Sequence, residues 1–186
     1  MNDTIGFKLG ISAFFVALYL ALFWLTNILV GVQAVAGLVT LVFLPAFVRL
    51  MAFLVVGFWT VPILFTAGIG CVLLGWYDMG PGIGPEIAAT AATSIGAPLG
   101  IWIAMYLRRV QPDLARLSAF DLLWLSVGSS LGSALFLSLS LHLTVHTPPH
   151  HSLTGVIFVG DALGTWIAIL LTKAGLTLAG RLPLSS

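Results

Sequence analysis

The sequence predicts an all-α fold, a polytopic transmembrane helical bundle of about six spans with both termini cytoplasmic, and three observations carry that expectation. Composition is the first: 60% of residues are hydrophobic, 7% are charged, and mean hydropathy is +1.14. A soluble domain carries roughly a quarter charged residues. Length is the second, because 186 residues hold about six stretches of roughly 20 residues plus short turns, with nothing polar enough for a separate globular domain. The third is the placing of the seven basic residues, Lys8, Arg49, Arg108, Arg109, Arg116, Lys173 and Arg181. All of them can lie on one side of a membrane, as the positive-inside rule expects. One integral membrane domain, 1–186, follows.

The first span is expected over 11–30. It follows Lys8, is too long for the core of a secretory signal, lacks a small-residue cleavage site, and reads as a retained helix. No lipidation or anchor pattern is visible. A turn at Asn27, Gly31 and Gln33 starts a second span over 34–49, short and interrupted by Pro45, which removes a backbone donor. The third, over 51–75, contains Pro62 and leaves into Trp76, Tyr77 and Asp78, an interfacial aromatic pair before an acid. The Gly- and Pro-rich loop from Tyr77 to Glu86 is read as a tight outer loop. The fourth span, 87–107, is anchored by Arg108 and Arg109, and a short cytoplasmic connection from Val110 to Leu117 follows. Ser118 and Asp121 have the Ser-x-x-Asp spacing of a capping box, so the fifth span rises over 121–141. The loop from His142 to Ser152, with Pro148 and Pro149 and no Lys or Arg, belongs outside, and the sixth span, 153–172, returns to Lys173.

Helices in lipid associate through small residues that recur on one face. Ala88, Ala92, Gly96, Gly100 and Ala104 form such a strip on the fourth span. Gly128 with Gly132, and Gly160 with Gly164, repeat the spacing on the fifth and sixth. The plain expectation is that these seams build one bundle; the sharper one is that the strip of the fourth helix faces another membrane protein. Serines gather on the fifth helix at Ser126, Ser129, Ser130, Ser133, Ser138 and Ser140. Some satisfy their own helix, while Ser126, Ser129, Ser130 and Ser133 are candidates to line a polar seam or a narrow cavity, and Ser138 and Ser140 approach the outer surface.

Asp161 is the most informative residue. It is expected about 12 Å into the bilayer, where an acid is costly unless protonated, hydrated or paired, so it should face the bundle interior. A ligand contact, a proton-coupled site and a structural hydrogen bond all fit it. Arg49 is its natural partner by charge, but a straight second helix leaves Arg49 near the inner surface, about 12 Å away along the membrane normal. Arg49 is therefore expected as a snorkelling anchor; pairing requires Pro45 to break the helix and bring Phe47 to Arg49 upward.

Other chemistries find little support. A net charge of +1 gives no dense basic surface for nucleic acid, and the lone Cys71 offers neither a disulfide nor a metal framework. His142, His146 and His150 recur every four residues beside His151, but Pro148 and Pro149 spoil the helix a shared metal needs, so an exposed, pH-sensitive loop is expected in place of a metal site. There is no nucleophile elbow, phosphate loop, carboxylate pair or haem-type histidine pair. Neither an enzyme nor a cofactor is expected.

Three segments resemble the MASE1 family of bacterial membrane sensor domains. FLPAFVRLMAFLVVGFWTVPILFTAGI, from Phe43 to Ile69, is similar to that family's Leu-Pro-centred helix start followed by a Gly, an aromatic and a Pro. PEIAATAATSIGAPLGIWIAMYLRR, from Pro85 to Arg109, resembles its small-residue helix ending in a basic pair, and FVGDALGTW, from Phe158 to Trp166, resembles its Gly-Asp-x-x-Gly signature. The resemblance implies a multi-pass, signal-receiving module of the bacterial inner membrane, usually fused to a histidine kinase, diguanylate cyclase or phosphodiesterase. Past Lys173 the chain shows no output domain, it has fewer helices than is usual in that family, and Ala46 and Arg49 stand where the family has a smaller, uncharged stretch.

The first expectation for function is thus a non-enzymatic receptor or accessory subunit that binds another membrane protein and senses a small-molecule ligand near Asp161. A substrate-binding membrane subunit of an energy-coupling vitamin transporter is the second. A structural subunit of a larger energy-converting membrane complex is the third.

Overall fold

The computed structural model describes residues 2–30, 42–76, 83–110, 117–145 and 151–179. The described residues are almost wholly helical: α1 (Asn2–Val30), α2 (Pro45–Val56), a 3₁₀ turn (Gly57–Trp59), α3 (Thr60–Leu73), α4 (Gly84–Arg108), α5 (Ala119–Val145) and α6 (His151–Ala179). Five helical stretches are long and apolar enough to cross a membrane: Gly6–Ile28, Pro45–Leu73, Gly84–Arg108, Ala119–Thr144 and Thr154–Ala174. The expected spans over 11–30, 87–107, 121–141 and 153–172 fall within α1, α4, α5 and α6. The loop tips at 77–82, 111–116 and 146–150 lie outside the described residues, and with them the tips of the expected outer loops and His146 and His150 of the histidine cluster, as do 31–41, which include 34–41 of the expected second span, and Arg181; His142 and His151 are in α5 and α6.

The expected second and third spans are wrong in their division. Residues 42–44 are not helical; the helix starts at Pro45, where a proline at the first helical position forgoes a bond it would not have made anyway. That helix is not broken at Met51 but runs 12 residues to Val56 and stops at Gly57, whose φ of +60° and ψ of −138° suit glycine alone among common residues. There the chain turns back. The rings of Phe43 and Trp76 both lie against Phe23, at 5.8 and 5.7 Å, while between them Trp59 reaches the other end of α1, donating from Nε1 to Ser12 Oγ at 3.2 Å and lying under Lys8. From Phe23 to Ser12 is about 16 Å along α1. The stretch 45–73 is therefore a hairpin: α2, about 18 Å long, is a half-depth helix, and α3 returns. Pro62 falls in the first turn of α3, where it bends nothing.

α1 packs on α3 through Phe15, Tyr19 and Phe23 against Ile63, Leu64, Ala67 and Cys71. Leu50, Phe53 and Leu54 of α2 meet Ile101, Ala104 and Met105 of α4 and Leu125 of α5. α4 and α5 form the closest seam. A Cβ on Gly96 would run into the Gly132 carbonyl, and one on Gly100 into that of Gly128, so the two backbones touch with nothing between them. From Gly96 to Ala104 the small-residue strip on α4 is covered by α5 and is not a free face for a partner; Ala88 and Ala92, nearer its start, are half-buried. α5 begins with the expected capping box: Ser118 Oγ accepts from the Asp121 amide at 3.1 Å, and the Asp121 carboxylate accepts from the Ser118 amide at 3.1 Å. Arg108 extends that corner, 3.5 Å from Asp121 and over the rings of Phe120 and Trp124.

Candidate functional site

Arg49 sits one turn inside α2, and Asp161 lies 10 residues after the start of α6 at His151. By helix rise Asp161 is about 15 Å from His151 and about 18 Å from Lys173, hence near the middle of a bilayer. The two side chains meet: Arg49 Nη1 is 2.7 Å from Asp161 Oδ2 and donates to Ser133 Oγ of α5, also at 2.7 Å. Each residue is only 4% exposed. The expected snorkelling role of Arg49 is thereby overturned. Because α2 starts at mid-depth and carries another two turns beyond Arg49, the guanidinium never reaches the surface.

Three backbone features make the meeting geometrically available. The non-helical residues 42–44 lie directly on α6, where the Phe43 amide donates to the Gly160 carbonyl at 2.9 Å. A Cβ on Gly164 would collide with the Phe43 backbone, so that glycine serves the approach of α2 and not a second helix seam. Pro45 then sets the first turn. The positive end of a helix is thus placed beside Gly160 and Asp161, the polarity that favours an acid there. The Phe43 ring completes the enclosure, its centroid 4.9 Å from the Arg49 guanidinium carbon, a cation–π contact strengthened by desolvation.

Around this centre the polar groups of α5 and α6 are arranged in layers. Thr165 donates its hydroxyl to the Asp161 carbonyl at 2.8 Å. Trp166 donates from Nε1 to Ser126 Oγ at 2.7 Å, and Ser138 pairs with Thr154 at 2.7 Å. Of the four serines expected in the seam, Ser133 is in the centre, Ser126 accepts from Trp166, and Ser129 is buried. The Ser130 hydroxyl is buried without a partner among the described residues. Phe43 and the half-helix were not anticipated, although a 12-residue apolar stretch bounded by Pro45 and Gly57 is a readable sign of a helix too short to span.

Chemically the centre is a fixed pair of opposite charges in a low-dielectric interior with a hydroxyl on the cation. It can hold helices α2, α5 and α6 in one register. No group of three or more His, Cys, Asp or Glu residues placed to hold a metal occurs among the described residues. No protein-family profile, curated protein or solved structure matches this chain.

Proposed function

We propose that this chain is a multi-pass protein of the bacterial cytoplasmic membrane, MASE1-like in type, with its basic end and both termini in the cytoplasm. It acts without catalysis as a small-ligand receptor or accessory subunit, and Arg49, Asp161 and Ser133 form the centre through which a ligand is sensed. The observation that supports this reading is a buried ion pair near mid-bilayer on a helix that enters only halfway. Burying two charges costs several kcal/mol each before pairing repays it, and ionisable residues at that depth mark functional sites by default. Since α4 uses its small-residue strip from Gly96 to Ala104 on α5, a membrane partner meets another face. α1 is a candidate, with Phe7, Phe14, Trp24 and Ile28 all exposed.

A structural reading is favoured by one observation, that the pair is closed by groups of the protein itself. Affinity purification of the tagged protein from its own membranes, beside an Asp161→Asn sample, separates the two. A small molecule present in the unaltered protein and lost from the variant supports reception. A stoichiometric membrane protein retained in both samples supports the accessory role with a structural pair. Recovery of bare protein from both refutes the proposal.

A further inference from the structure

At the basic end, away from the ion pair, an open groove of about 860 Å³ runs between the turn that ends α2 and the last turns of α4. Val55 and Phe58 form one wall and Trp102, Tyr106 and Leu107 the other, and each of them is at least 44% exposed. Trp102 and Tyr106 stack at 6.2 Å. Such aromatics belong at the level where acyl chains meet headgroups. Arg109 also lines the groove, with no carboxylate beside it among the lining residues. The neighbouring cations are engaged elsewhere, Arg108 with Asp121 and Lys8 over Trp59.

Arg109 is in an unusual position. The amides of Arg109 and Val110 bond the carbonyls of Tyr106 and Met105, closing α4 with a Schellman motif. The residue that makes this turn is normally glycine, yet here it is an arginine at φ +54° and ψ +34°. The same two bonds satisfy carbonyls that would otherwise repel an anion at a helix C-terminus.

We infer that this groove is a binding site for an anionic phospholipid, an acyl chain lying along the apolar walls and the phosphate held by Arg109. A guanidinium forks onto phosphate oxygens, and the groove falls in the size range of small-molecule sites. The site is independent of the Arg49–Asp161 centre.

The test is native mass spectrometry of the purified, delipidated protein offered equal amounts of phosphatidylglycerol and phosphatidylethanolamine with the same acyl chains. Retention of phosphatidylglycerol over phosphatidylethanolamine by about fivefold is expected. Arg109→Gly removes the charge while relieving the backbone, so it should abolish that preference while the lipid-free Tm holds or rises, which separates lost binding from lost folding. Val55→Trp fills the groove and should reduce retention of both lipids. Equal retention by the unaltered protein overturns the site, as does full preference in Arg109→Gly. Loss of the same preference in Lys173→Gln overturns it too, since that cation is at the basic end but does not line the groove. A protein dimer disrupted by Val55→Trp in place of lipid loss would assign the groove to a second copy and likewise overturn it.

Discussion

Arg49 and Asp161 are worth more as a pair than either is alone. Removing one partner leaves an uncompensated charge at mid-depth, so Asp161→Asn and Arg49→Met are each expected to destabilise the protein by about 3–5 kcal/mol, read as a fall in Tm in detergent. Combining Arg49→Met with Asp161→Leu should recover most of what these two changes lose when made singly, because an apolar pair needs no partner. If the two losses simply add, the pair is not coupled. Arg109 predicts the opposite sign. A non-glycine residue in the left-handed region costs about 1–2 kcal/mol, so Arg109→Gly should raise lipid-free stability by about 1 kcal/mol, and a fall would show that the side chain holds the α4 terminus in place. The presence of an intramembrane acid was legible from the position of Asp161 in an apolar run. Arg49 was legible as its candidate partner by charge, but the meeting itself was not, because the depth of Arg49 depends on where its helix begins, and a straight helix through Pro45 puts it at the surface.

Among the elements, α2 is the one whose identity rests on its ends. Gly57 permits the reversal, and Gly57→Val should cost about 1–3 kcal/mol through this glycine-only backbone conformation, seen as faster proteolysis of the turn and a lower Tm. Gly164 lets residues 42–44 lie on α6, so Gly164→Leu should push α2 away and separate Arg49 from Asp161. In that background Asp161→Asn should cause much less further destabilisation, since coupled sites fail to add; an undiminished second loss would place the pair outside the reach of Gly164. The α4–α5 seam is tighter still. Gly100→Ala inserts a methyl where the Gly128 carbonyl stands, an overpacking expected to cost about 1–3 kcal/mol or more. Small-residue periodicity disclosed that seam in advance, and Ser118 with Asp121 disclosed the start of α5. The Gly160 and Gly164 repeat was equally visible, yet its use by an extended segment was not, because spacing shows which face is small and not what lies on it.

For the whole molecule the central quantity is orientation. Lys8, Arg108, Arg109 and Lys173 share one end of the bundle, since α1 and α3 run away from it, α4 returns, α5 leaves and α6 returns. If the basic end is cytoplasmic, a membrane-impermeant thiol reagent applied to intact cells should label Ile83→Cys and spare Ala119→Cys, at the start of α5, in a Cys71→Ala background. Both positions are exposed, and Cys71 is fully buried. The reverse pattern would invert the topology. What the sequence alone determined was the solvent of this protein, its helical class and the capacity of four helices to span, because hydropathy, length and charge placement are additive properties of local segments. The tertiary structure decided that 45–73 is a hairpin with a half-depth leg, that the strip on α4 from Gly96 to Ala104 is spent on α5, and that Arg49 meets Asp161 across 112 positions. Each of these is a question of which surfaces touch, and in lipid, where apolar burial no longer selects among apolar faces, that choice rests on backbone approach and on satisfying the few polar groups present.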